Sequence, residues 1–171
     1  MEPLATHLPI LAVVVPCYNE QEVLPETCSR LSALLKRLIS DEKIAAESRI
    51  WLVDDGSRDH TWQLIQEASA ASGSFICGIK LSRNRGHQAA LMAGLMTATG
   101  DILISVDADL QDDLEAIPAM LSEYKKGSDI VYGVRNSRES DTFFKRFTAE
   151  GYYTLLKRLG IEIVFNHADY R

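Results

Sequence analysis

Two short acidic clusters stand directly after apolar runs: Asp54-Asp55-Gly56-Ser57 after Ile50-Trp51-Leu52-Val53, and Asp107-Ala108-Asp109-Leu110-Gln111 after Ile102-Leu103-Ile104-Ser105-Val106. Carboxylates gathered in an apolar framework repel one another and lose hydration, so such a grouping calls for a cation or a donor-rich ligand to offset the cost. In an extended or turning segment Asp107, Asp109 and Gln111 alternate onto one side and converge three oxygen donors, the ligand type a hard divalent ion takes. The first cluster has two readings. Together with Asp59 and Thr61 it is either part of a ligand site or ordinary turn and helix-cap chemistry.

Both clusters need elements that carry them to one place. Runs of four or five apolar, partly β-branched residues predict buried parallel strands, and in open α/β sheets ligands gather where the carboxyl ends of such strands open into loops. Strand-like and helix-like stretches alternate along the chain. Ile10 to Val15 reads as strand, and Gln21 to Ile39 as helix, with Val23, Leu24, Leu31, Leu34, Leu35 and Leu38 at helical spacing. Ile50 to Val53 is the next strand, and Asp59 to Ala71 a helix opened by an Asp-x-Thr cap signal. Then come Phe75 to Leu81 as strand, Gly86 to Ala98 as helix, Asp101 to Val106 as strand, Leu114 to Lys125 as helix and Asp129 to Gly133 as strand. This alternation predicts an α/β protein with a Rossmann-like, mostly parallel central sheet flanked by helices. No internal repeat, low-complexity tract or linker interrupts it before about Asn136.

Composition narrows the function classes. A chain of 171 residues, 46% of them hydrophobic, is enough for one well-packed domain. A net charge of -6 argues against a nucleic-acid binder with a broad basic face, while local Arg and Lys can still hold a small anion. Cys17, Cys28 and Cys77 are widely spaced with no Cys-x-x-Cys pair, which argues against a disulfide frame or a zinc site and fits a reducing cytoplasmic setting. The N-terminal apolar run, Leu8 to Val15, is short, contains Pro9 and ends in Pro16, unlike a signal peptide. No run reaches the roughly 18 to 20 apolar residues that span a bilayer, so the chain as given is expected to be soluble or at most peripheral.

The remaining motifs fall at the same edge of the expected sheet. Pro16-Cys17-Tyr18-Asn19-Glu20 follows the first strand, where Pro16 is expected to end its hydrogen bonding so that the chain turns over the site. Tyr18 either packs against a planar base or is an ordinary half-buried tyrosine. Ser82-Arg83-Asn84-Arg85-Gly86-His87-Gln88 lies between the third strand and a helix, offering free backbone N–H groups and two arginines to an anion, or else forming a solvated loop. His87 reads as a structural hydrogen-bonding histidine, since no second histidine lies at metal-binding spacing.

In order, Val14-Val15-Pro16-Cys17-Tyr18-Asn19-Glu20, Val53-Asp54-Asp55-Gly56-Ser57-Arg58-Asp59-His60-Thr61, Arg83-Asn84-Arg85-Gly86-His87-Gln88 and Val106-Asp107-Ala108-Asp109-Leu110-Gln111-Asp112 resemble the family-2 inverting glycosyltransferases of the GT-A fold. The resemblance covers nearly the whole chain. It is nearest to the polyprenyl-phosphate glycosyltransferase branch, which includes dolichyl-phosphate mannose synthase and bactoprenol glucosyltransferases. It implies that Pro16, Tyr18, Glu20 and Asp55 line a nucleotide pocket, and that Asp107, Asp109 and Gln111 hold Mg²⁺ or Mn²⁺ against the diphosphate of a nucleotide-sugar donor. A nucleoside diphosphate leaves the anomeric carbon only if its growing charge is stabilised, which a cation bridging phosphate oxygens does. Two carboxylates roughly neutralise that cation, and the neutral amide of Gln111 adds an oxygen without repelling the diphosphate. Arg83 or Arg135 could add positive charge. The family's Gly-x-Arg, matched by Gly133-Val134-Arg135, favours Arg135.

The same resemblance divides the chain into a nucleotide-sugar-binding core, residues 1–135, and the start of an acceptor-binding part, 136–171. Phe143-Phe144-Lys145-Arg146-Phe147 and Tyr152 to Leu159 interleave aromatic, leucine and basic positions, which fits either a core-facing helix or an interfacial one. The resemblance favours a surface that meets a lipid-linked phosphate, with Arg138, Lys145 and Arg146 as phosphate contacts, and makes Asp169 the candidate catalytic base. A hydroxyl acceptor needs such a base, but a phosphate, with its second pKa of about 6, is already largely ionised. Family members continue past the position matched by Arg171, commonly into transmembrane helices, so the chain is expected to be a truncated portion of an enzyme on the cytoplasmic face of a membrane. A UDP-sugar donor, inversion and possible homo-oligomers are further expectations. Alternatives are transfer to a saccharide hydroxyl, a non-catalytic nucleotide-binding module, and a nucleotidyl- or phosphotransferase, the last disfavoured by the lack of a Gly-rich phosphate loop.

Overall fold

The computed structural model describes residues 7–111 and 113–133. The chain divides into two compact units, and the described residues belong to the first, which runs to Val131, except for Tyr132 and Gly133 in the second. The order of elements is β1 (Leu11–Cys17), α1 (Leu24–Ser40), β2 (Arg49–Asp54), α2 (Thr61–Ala70), β3 (Ile76–Lys80), α3 (His87–Thr97), β4 (Ile102–Ser105), a 3-10 turn (Leu114–Ala116) and α4 (Ile117–Lys125). The strands form one parallel sheet in the order β3-β2-β1-β4. Parallel strands buried on both faces need continuous apolar sequence, and β1 is buried along its whole length.

The helices cover the sheet through their apolar stripes. Leu24, Leu31, Leu34, Leu35 and Leu38 of α1 are buried at the helical spacing their sequence shows. On the other side α3 lies close because Gly94 has no side chain: a Cβ there would collide with Val14 and Val53. That contact seats Ala90 and Leu91 in a cluster with Val14 and Val53, flanked by Trp51, Ile79 and Leu95.

Three expectations are corrected. Pro16 does not end β1, which pairs with β2 through Pro16↔Val53 and on to Cys17↔Asp54. Backbone groups of a parallel strand turn alternately to its two neighbours. The Val14 carbonyl accepts from the Val106 N–H at 3.0 Å on the β4 side, and the Cys17 carbonyl from the Asp55 N–H at 2.9 Å on the β2 side. Pro16 therefore turns its missing donor toward β4, just where β4 ends, and closes only that ladder. The Leu114 to Lys125 helix is split: Pro118 stands at the start of α4, and a 3-10 turn capped by Asp113 precedes it. Asp129 to Gly133 forms no strand. Instead Asp129 to Val131 line, together with Ile102 to Ser105, a cavity of about 340 Å³.

Candidate active site

The loops at the carboxyl ends of the strands are stitched to one another by side chains. After β1, Asn19 adopts a left-handed backbone conformation, φ 55, which asparagine tolerates. The Asn19 N–H donates to Ser57 Oγ at 3.0 Å, and its Oδ1 accepts from the Arg58 N–H at 2.8 Å. The Glu20 N–H donates to Thr61 Oγ1 at 2.8 Å, the Gln21 N–H to Asp59 Oδ2 at 3.2 Å, and the His60 N–H to Gln21 Oε1 at 3.0 Å. Residues that read as local caps in the sequence thus hold the β1–α1 loop onto the β2–α2 loop.

Asp54 and Asp55 are both buried. Asp54 Oδ1 accepts from the Ser57 N–H at 3.1 Å, while its Oδ2 is buried without a partner among the described residues. Asp55 faces the next loop, its two oxygens accepting from the Arg85 N–H at 2.7 Å and the Gly86 N–H at 2.8 Å. These are backbone donors that the sequence offered to an anionic ligand, so that expectation is corrected for Arg85 and Gly86: a carboxylate of the protein already holds them. Gly56 completes the clamp. With φ 68, it sits where a Cβ would lie 2.5 to 2.7 Å from backbone atoms of Arg83 and Asn84.

The second cluster is differently built. The Leu110 N–H donates to the Asp107 carbonyl at 3.2 Å with Leu110 at φ 50, closing a turn after β4, and Asp109 Oδ1 accepts from the Gln111 N–H at 3.1 Å. Ala108 is buried, Asp109 and Gln111 are exposed, and the Asp107 side chain is 43% exposed. The turn therefore presents two carboxylates outward on either side of an anchored alanine. His87, at the start of α3, faces this turn, its Nε2 3.7 Å from Asp107 Oδ1, beyond hydrogen-bonding reach.

Carboxylates from three loops share one field. Burial, and then the charges of Asp109, Asp59 and Asp107, push the Glu20 carboxyl above its ordinary range. Slight burial works upward on Asp59 too, but the Thr61 hydroxyl and N–H and the Gln21 N–H outweigh it and hold that carboxyl below the usual range. A carboxyl raised in the folded state costs stability once both states ionise and costs nothing when both are protonated. Glu20→Gln in chelator is therefore expected to melt higher than wild type at pH 7, with the gap closing below about pH 4.3. Thermal melts across that range check this, and an equal gap at both ends would contradict it.

Among the described residues no group of three or more His, Cys, Asp or Glu side chains is arranged to hold a metal ion. Asp107 and Asp109 with the Gln111 amide nevertheless fit Mg²⁺ or Mn²⁺, because such ions are held by one or two carboxylates and complete their shell with water and substrate phosphates. Tyr18 is 39% exposed beside Asn19, Pro16 is buried within β1, and Arg83 is exposed on its loop. Arg135, Asp169, Arg138, Lys145 and Arg146 lie outside the described residues. Sequence reasoning missed Thr27, a buried α1 residue whose hydroxyl reaches the Ala108 carbonyl at 2.6 Å.

Residues 12–171 match the family described as Glycosyl transferase family 2. The chain belongs to glycosyl transferase family 2. A family relative, the "Uncharacterized glycosyltransferase YkoT" of Bacillus subtilis (strain 168), is 50% identical over 165 residues, covering 95% of this chain and 49% of its own length. Another, the undecaprenyl-phosphate 4-deoxy-4-formamido-L-arabinose transferase of Pseudomonas fluorescens (strain SBW25), is 44% identical over 147 residues, or 86% of this chain and 40% of that protein. The chain thus spans half or less of these curated relatives. In fold it is similar to the mannosyltransferase PcManGT of Pyrobaculum calidifontis, solved in complex with GDP-Man and Mn²⁺, at a TM-score of 0.56 and 22% identity, over 82% of this chain and 39% of that one. It is similar also to S. aureus TarS, at 0.53 and 22%, over 78% of this chain and 24% of that one. The four-stranded parallel sheet with its flanking helices is that of the family-2 GT-A fold. No helix among the described residues is long and apolar enough to cross a membrane.

Proposed function

We propose that this chain is the donor-binding part of an inverting glycosyltransferase that moves a sugar from a nucleoside-diphosphate sugar, a UDP-sugar, to a polyprenyl phosphate. The observation that carries the reading is the Asp107-Ala108-Asp109 turn at the carboxyl end of β4, with its alanine anchored and both carboxylates turned outward. Asp107, Asp109 and Gln111 hold a divalent cation, which when bound stabilises the charge that develops on the departing diphosphate. Tyr18 and Glu20 border the nucleotide from the β1–α1 loop, with Pro16 beneath them. Asp55 shapes the same pocket by holding the Arg83 to Gly86 loop. Arg83 and Arg135 bring positive charge to the diphosphate. Asp169 serves as base toward a hydroxyl acceptor, and toward a phosphate acceptor it orients or balances charge, since that acceptor has little proton to lose. The lipid-linked acceptor is the relatives' printed substrate class, undecaprenyl phosphate. On this reading the whole protein works at a membrane surface, on the cytoplasmic side where nucleotide sugars occur, with residues 136–171 and any sequence beyond them meeting the lipid.

The test is transfer by the full-length protein from a panel of labelled UDP-sugars, with undecaprenyl phosphate and a soluble saccharide as competing acceptors. The expected product is one lipid-linked sugar of inverted anomeric configuration, lost on chelation. Label entering only the saccharide would overturn the acceptor assignment, and chelator-insensitive transfer would overturn the cation's part.

A further inference from the structure

The Asp107-Ala108-Asp109 turn is tied to the rest of the unit on both of its flanks and at its centre. On one side the Val106 N–H is bonded to β1, and on the other Leu114, the first residue of the 3-10 turn, is buried. Between these anchors, a buried side chain of a distant element bonds to the peptide at the centre of the turn. Thr27, in the first turns of α1 and 1% exposed, donates its hydroxyl to the Ala108 carbonyl at 2.6 Å across a sequence separation of 81. The same hydroxyl lies 3.0 Å from the Val23 carbonyl, but that carbonyl already accepts the Thr27 backbone N–H at 3.0 Å. The shorter contact to Ala108 is therefore the better use of its single proton.

Another tie from α1 to this region is the ion pair between Arg37 and Glu115, with both oxygens 2.8 Å from Arg37 Nη2 and side chains 46% and 67% exposed. An exposed pair of this kind is screened and constrains little. The Thr27 hydrogen bond is shielded from water and acts on the peptide that links the two carboxylates. Losing it would leave a buried carbonyl without that donor and let the turn rotate about Ala108, which would swing Asp107 and Asp109 apart.

We infer that Thr27 is a positioning residue for the acidic turn, fixing the Ala108 peptide that carries Asp107 and Asp109 as ligands of a divalent cation. The inference rests on the cation-site reading given above. It assigns to α1 a part in holding the cation's ligands, in the way outer-sphere hydrogen bonds orient metal ligands elsewhere.

Two variants separate the hydroxyl from the methyl: Thr27→Val keeps the shape and removes the donor, and Thr27→Ser keeps the donor. Binding of Mn²⁺ alone is followed by electron paramagnetic resonance, and hydrogen exchange of the Leu110 and Gln111 amides is measured without metal. Thr27→Val is expected to weaken Mn²⁺ binding about tenfold and to speed exchange at both amides, while Thr27→Ser stays within about twofold of wild type. Thr27→Val binding Mn²⁺ as wild type does would overturn the inference and leave the cation site standing. Equal weakening in both variants would overturn it as well, since the methyl and not the hydroxyl would then matter. A wild-type protein that binds no Mn²⁺ would remove the cation site itself, and the inference with it.

Discussion

Asp109→Ala is expected to lower sugar transfer by the full-length protein at least about 100-fold while leaving its melting temperature nearly unchanged. The two halves of this expectation come from the same geometry. Asp109 is exposed, and its one described tie to the protein is the bond from the Gln111 N–H at 3.1 Å, so truncation removes little that holds the fold. What it does remove is one of the two outward carboxylates of the turn. On the proposed reading, Asp107 and a neutral amide alone would hold the cation weakly, and the charge stabilisation it would supply to the departing diphosphate would be lost. Steady-state rates over a range of Mn²⁺ concentrations check this, and partial recovery at high metal is expected. Wild-type rates in Asp109→Ala would remove this residue from the site.

Gly56→Ala is expected to act in the opposite way, through the fold. The added Cβ would lie 2.5 Å from the Arg83 carbonyl carbon and 2.6 Å from the Asn84 nitrogen, and backbone at that distance must move as a unit. A positive φ of 68 adds strain for any residue with a side chain. Moving the Arg83 to Gly86 loop would in turn break the pair of bonds from Arg85 and Gly86 to Asp55. The combined cost is about 3 kcal/mol, or a fall in melting temperature on the order of 10 °C for a protein of this size. Calorimetric melts of the wild type and the variant decide it. A change of a degree or less would mean that the two loops are not locked together through Gly56.

The alternation of apolar runs with helical spacing was enough to read β1 to β4 and α1 to α4, because each is a local pattern with one face or both faces buried. Asp129 to Gly133 shows the limit of that reading: Asp-Ile-Val-Tyr-Gly has strand composition, but pairing depends on a neighbour's edge, and here Asp129 to Val131 line a cavity with β4 residues instead. The placement of the acidic clusters at strand ends was legible for the same local reason. Their division of labour was not. Asp54 and Asp55 look alike in sequence, yet one accepts from its own turn and the other from a loop 30 and 31 residues away. The bonds that join Asn19, Glu20 and Gln21 to Ser57, Arg58, Thr61 and Asp59 likewise span 38 to 41 residues, beyond what spacing can reveal. Thr27 escaped notice because a threonine within an apolar helical stripe reads as packing, and only its distance to Ala108 marks it out.

The most direct test of the account is calorimetric titration of this chain with UDP and with GDP, each in Mn²⁺ and again in chelator. The account predicts saturable UDP binding in Mn²⁺, weaker binding of GDP, and loss of the signal in chelator. UDP binding of equal strength with and without Mn²⁺ would contradict the assignment of Asp107, Asp109 and Gln111 to a cation that meets the donor's diphosphate.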